Sequence, residues 1–167
     1  MRVYGSIQIR FWENQQILQI SDQAKLLAIY LLTGPHSNMI GCFRIPEGYI
    51  TEDLRWDTAA VKAAFKELTE INFLTRDDDS NWLVIHHFLL WNPVQNPKQG
   101  VGVKKLFDLV PMSSTIYKAL TNSLVTYGKY FDTEFANRLR SLSGKCITDK
   151  DQNQDPDPDL EINVIDS

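Results

Sequence analysis

The stretch "DTAAVKAAFKELTEI", Asp57 to Ile71, sets small side chains and two lysines at helical spacing. Val61, Ala64, Phe65, Leu68 and Ile71 form its apolar stripe, which leaves Thr58, Ala59, Lys62, Ala63 and Lys66 on the opposite face. Small residues let a helix approach the floor of a DNA major groove, and two lysines can neutralise phosphates. The start of the helix adds backbone N–H donors for one more phosphate, and the corner residue Arg55 adds a cation. No Arg, Asn or Gln occurs on this face before Asn72, so bidentate reading of base edges is weak. The plain alternative is an amphipathic helix with a solvated lysine face.

A second set of cations follows. Lys98, Lys104 and Lys105 are joined further on by Lys118, Lys129, Arg138 and Arg140, with Tyr117, Tyr127 and Tyr130 interleaved. Basic plus aromatic residues suit auxiliary, non-specific nucleic-acid contacts. A helical hairpin with snorkelling lysines accounts for them equally well.

Other groups argue against further chemistry. Asp77, Asp78 and Asp79 crowd a turn whose only cation is Arg76; they would repel a phosphate backbone and lack the ligand spacing of a calcium loop. His86 and His87 are adjacent, so in a strand they face opposite sides and do not chelate one metal. Trp91 could stack on an unpaired base, although anchoring a linker is the commoner role. "GVGVKK", Gly100 to Lys105, lacks the spacing of a phosphate loop. No nucleophile–base–acid set is recognisable, so neither an enzyme nor a cofactor is expected. Cys42 and Cys146 form no CxxC pair and read as reduced thiols.

The elements that must position the first helix can be read around it. "VYGSIQIRFW" reads as a strand, through Val3, Ile7, Ile9 and Phe11, and "ENQQILQIS" as a connection. Ser21 caps a helix "DQAKLLAIYLL" with Leu27, Tyr30 and Leu31 inward, stopped at Gly34 and Pro35. A short strand from Gly41 to Ile45 follows. Pro46 opens a helix that turns Tyr49, Ile50 and Leu54 inward. Arg55 and Trp56 make a corner, Asp57 caps the lysine-bearing helix, and "NFLTRDDDSNWLVIHHF" is a hairpin. The order helix, strand, helix, corner, helix, hairpin is that of a winged helix-turn-helix.

Beyond it, Asn92-Pro93 and Asn96-Pro97 predict a break. Residues 103–109 predict a short helix, Ser113 or Ser114 the cap of a longer one, and Asp132 the cap of a third. The expected fold class is α+β, mainly helical: a winged helix over 1–90, a linker and helical appendage over 91–140, and a disordered acidic tail over 141–167.

Charge follows these divisions. Residues 1–90 carry 8 basic and 11 acidic side chains, 91–140 carry 7 and 3, and 141–167 carry 2 and 7. The net charge of −4 therefore resides mainly in the tail and does not exclude a nucleic-acid partner. "MRVYGSIQIRFW" has no continuous apolar run, and "LLAIYLL" is too short to span a bilayer. A cytoplasmic protein without a membrane partner is expected.

"RVYGSIQIRFW", "SDQAKLLAIYLL", "HSNMIGCFRIPEGYITEDLRWD" and "WLVIHHFLLWNPVQNP" together resemble the N-terminal winged-helix region of phage and prophage replication-initiation proteins, also called replisome organisers. The resemblance covers about residues 2–140. It implies binding of duplex, origin-like or primosome DNA in a bacterial host cell and recruitment of the replicative helicase or its loader; the appendage is expected to add non-specific contacts or to mediate self-association as a homo-oligomer. The same residues allow two other functions. One is a winged-helix transcriptional regulator, which needs a palindromic operator. The other is a protein-interaction module without DNA binding.

Overall fold

The computed structural model describes residues 5–112 and 115–144. Its elements are helices α1 (Arg10–Glu13), α2 (Gln15–Gln19) and α3 (Asp22–Thr33), strand β1 (Cys42–Arg44), helices α4 (Glu47–Leu54) and α5 (Thr58–Glu70), strands β2 (Leu74–Asp77) and β3 (Trp82–Ile85), and helices α6 (Phe88–Trp91), α7 (Pro97–Phe107), α8 (Thr115–Tyr127) and α9 (Thr133–Ser143). The fold is α+β and mainly helical. From Asp22 to Ile85 the elements follow the expected order of helix, strand, helix, corner, helix and hairpin.

Short polar side chains start the helices where the sequence marks them. Ser21 Oγ accepts the Ala24 N–H at 3.1 Å, Asp57 the Ala60 N–H at 2.7 Å, and Asp132 the Phe135 N–H at 2.7 Å. Each such cap satisfies a donor that the helix itself leaves unpaired. Ser21 has a second role. Its backbone N–H and its hydroxyl donate to the two carboxylate oxygens of Glu67, at 2.7 and 2.6 Å, which fastens the start of α3 to α5. These bonds hold the Glu67 carboxyl below the usual glutamate range.

A carboxyl depressed in this way contributes stability above its unfolded value of about 4.3, and the contribution is lost as pH falls through the folded value. The Glu67→Gln variant is therefore expected to melt about 2 °C lower at pH 7 and to lose less stability than the parent below about pH 4. Thermal melts from pH 7 to pH 3 check this.

Several expectations are corrected. From Gly5 onward the N-terminal stretch is not a strand. Residues 5–9 have no regular structure, α1 begins at Arg10, and Ile9 is exposed while Phe11 is buried. A strand needs a neighbour for its ladder, and the sheet pairs only β1, β3 and β2 among the described residues. The connection after it is helical: Asn14 accepts from Gln16 N–H and Ile17 N–H and starts α2. Tyr49 points outward, at 52% exposure, whereas Ile50 is fully buried and Leu54 half-buried. Pro46 is the N-cap of α4 rather than its first residue.

Asn96-Pro97 starts a helix instead of breaking one. Asn96 Oδ1 accepts the Gln99 N–H at 3.0 Å and Pro97 takes the first turn, so α7 begins six residues earlier than expected. Helix α9 runs to Ser143, which places the expected boundary at residue 141 inside it. The cap at Ser113 or Ser114, Cys146 and the acidic tail beyond Gly144 lie outside the described residues.

The antiparallel sheet has the order β1-β3-β2. Register and the two-residue period put Phe43, Leu74, Arg76, Leu83 and Ile85 on one face, and Cys42, Thr75 and Val84 on the other. Helix α5 covers the first face, its Phe65 ring lying 4.2 Å from the Arg76 guanidinium. Cys42 and Val84 are also buried, so the second face needs its own layer; α8, which packs on β2 and β3, supplies it. Burial pushes the Cys42 thiol far up, which leaves it an inert core residue. Buried side chains form one cluster from Phe11 to Leu139.

Candidate nucleic-acid interface

Helix α5 divides as its periodicity requires. Val61, Ala64, Phe65 and Leu68 are buried against α3, α4 and β2. Thr58, Ala59, Lys62, Ala63 and Lys66 are all exposed and share one face. Just before it, Arg55 adopts the left-handed conformation (φ 57°, ψ 38°), and this corner sets the angle between α4 and α5. The five expected site residues on α5 thus share one exposed face, and Arg55 is exposed at the corner that precedes it.

Their charges are less available than their exposure suggests. Arg55 Nη1 lies 2.9 Å from Glu52 Oε1, and Lys66 Nζ lies 3.8 Å from Glu70 Oε1. Both pairs are solvent-exposed, a class that adds little stability and breaks at small cost. Lys62 makes no ion pair among the described residues. At the helix start, Asp57 occupies the Ala60 N–H and brings its own negative charge. The backbone donors expected there for a phosphate are therefore partly taken.

The auxiliary lysines do not join this surface. Helix α7 buries Val103 and packs Phe107 onto Tyr117 and Phe135, and Gly100 sits against the Tyr130 carbonyl. Lys98 and Lys105 are exposed there, and Lys104 Nζ is 3.5 Å from Asp132 Oδ2. Arg138 is taken up by Asp108 at 2.6 Å. "GVGVKK" lies within α7, and so is not a loop.

Arg76 plays a part that its sequence position hides. Its side chain is only 6% exposed, and Nη1 donates to Glu47 Oε1 at 3.0 Å and pairs with Asp78 Oδ1 at 3.1 Å. Nη2 donates to Asn81 Oδ1 at 3.2 Å. The signal for this was the alternation of β2: Arg76 is two residues from Leu74 and so faces the core side. The hairpin acids divide by role. Asp77 accepts from Asp79 N–H, Ser80 N–H and Ser80 Oγ, which holds its carboxyl below the usual range and closes the turn. Asp79 is exposed.

The two histidines separate, but not on a strand as expected: β3 ends at Ile85, and both lie in the turn before α6, His87 with a left-handed φ of 56°. His86 Nε2 is 2.8 Å from Thr75 Oγ1, and burial lowers its pKa. His87 Nδ1 is 3.0 Å from the Tyr127 hydroxyl. Trp91 is half-buried beside Phe73, and its carbonyl accepts from Gln8 Nε2 at 2.6 Å, which is an anchoring role. Among the described residues no group of three or more His, Cys, Asp or Glu could hold a metal ion, and no helix is long and apolar enough to cross a membrane.

Comparison with protein-family models, curated proteins and solved structures finds no match for this chain.

Proposed function

We propose that the chain is a DNA-binding protein of phage-type replication initiation, in which residues 22–85 act as a winged helix-turn-helix on duplex DNA. One observation carries the reading: the exposed face of α5 gathers small side chains at Thr58, Ala59 and Ala63 and cations at Lys62 and Lys66, with Glu70 beside Lys66, directly after the Arg55 corner. Such a face fits a major groove and meets phosphates more than bases. Recruitment of a replicative helicase or its loader belongs to the same proposal through the resemblance of the sequence segments.

Binding of a labelled duplex across salt tests it. Contacts to about three phosphates give a log–log salt slope near −3. Absence of binding at low salt, or a slope near zero, refutes duplex binding.

A second reading has its own observation. Arg55, Lys66 and Arg76 each pair with a carboxylate, and the hairpin tip is acidic, an arrangement that also suits a protein-docking module. Retention of a helicase or loader by the protein, with no DNA retained, selects it.

A further inference from the structure

Between α5 and the β2–β3 hairpin lies a groove of about 690 Å³, with Lys62, Lys66, Thr69 and Glu70 on one wall and Asp78 on the other. Arg76 lies at its base. Its Nε is buried and has no hydrogen-bond partner, and its Nη1 is shared between Glu47 and Asp78. The two carboxylates differ sharply. The Glu47 side chain is 23% exposed, whereas that of Asp78 is 83% exposed and holds Arg76 from the solvent side.

We infer that Arg76 is a latent oxyanion site, and that Asp78 occupies the place a backbone phosphate of nucleic acid takes when it enters the groove. A phosphodiester carries one negative charge, as Asp78 does, so the exchange leaves the charge around Arg76 unchanged. It also places the phosphate in the groove that Lys62 and Lys66 line. Guanidinium binds phosphate and carboxylate oxygens in the same geometry. The displaced carboxylate returns to water, where it already mostly resides, and the incoming phosphate oxygen replaces it, so the buried guanidinium is not left unpaired. Asp78 is thus a built-in competitor at the hairpin tip. The ligand's identity rests on the duplex-binding proposal; the site's geometry does not.

The test compares full-length D78N with D79N. Both remove one negative charge from the tip, but only Asp78 touches Arg76. Duplex binding across salt is expected to steepen by about 0.9 in log–log slope for D78N, as for one added phosphate contact, and not for D79N. Equal slopes in the two variants overturn the inference. A second arm reads the site without DNA. Inorganic phosphate titrated into D78N is expected to shift the Arg76 Nε–H resonance, and to leave it unmoved in D79N. No shift in D78N overturns the inference whatever the duplex result. If the parent binds no duplex, the proposed function fails, and the phosphate arm still decides the site.

Discussion

The Lys62→Ala/Lys66→Ala double variant is expected to bind duplex DNA between about tenfold and about sixtyfold more weakly at 0.1 M salt, with the salt slope falling from near −3 towards −1. Each neutralised phosphate contributes about 0.9 to the slope, which at 0.1 M salt corresponds to about eightfold in affinity. Two full contacts give the upper figure. The lower figure applies because Lys66 already has Glu70 at 3.8 Å, whereas Lys62 makes no ion pair among the described residues. Lys62→Ala is therefore expected to cost more than Lys66→Ala. The loss should be uniform across duplex sequences, because phosphates carry no base identity. Both side chains are exposed, so the melting temperature should stay within about 1–2 °C of the parent. Anisotropy titrations of two unrelated duplexes check all of this. Unchanged affinity would remove α5 from the interface.

The parts of the site that sequence reveals are those set by local physics. Ser21, Asp57 and Asp132 act within three residues of themselves, and each caps the helix its position announces. The outward face of α5 follows from a 3.6-residue period and needs no knowledge of what covers the other face. Charge pairing is different. Glu47 is 29 residues from Arg76 and Glu67 is 46 residues from Ser21, so neither partnership has a local signature. Local signals can also point two ways. Asn-Pro both ends a preceding element and starts a following one, and at Asn96-Pro97 the second sense applies. The N-terminal alternation of Ile7, Ile9 and Phe11 is compatible with a strand, but pairing is a tertiary property, and no neighbouring strand among the described residues takes it up.

These long-range partnerships also bear on the proposed function. Glu67 is on α5, and it spends both carboxylate oxygens on Ser21, so it is held at the α3 side of the helix and away from the lysine face. Glu70 and Glu52 have no such restraint and remain beside Lys66 and Arg55. The surface is therefore weakly cationic at rest and becomes more so only when exposed pairs open. A protein built this way depends strongly on ionic strength.

Helix α7 carries two glycines, and alanine is expected to act oppositely at the two. In an exposed helix interior alanine is favoured over glycine by about 1 kcal/mol. At Gly102 an added Cβ meets the Met39 sulfur at 3.2 Å, the far part of a flexible side chain that can give by a few tenths of an ångström. Gly102→Ala is therefore expected to be neutral or to stabilise by up to about 1 kcal/mol. At Gly100 the Cβ would stand 2.1 Å from the Tyr130 carbonyl oxygen, which is backbone. Relief requires moving either α7 or the turn before α9, and Tyr130 already holds a left-handed φ of 63°. Overpacking at such a contact costs about 3 kcal/mol, more than the helical preference returns. Gly100→Ala should accordingly lower the midpoint of urea unfolding without changing its slope, while Gly102→Ala holds or raises it. If the two variants shift together, the close approach of α7 to Tyr130 is wrong, and with it the position of Lys98 and Lys105 away from the α5 face.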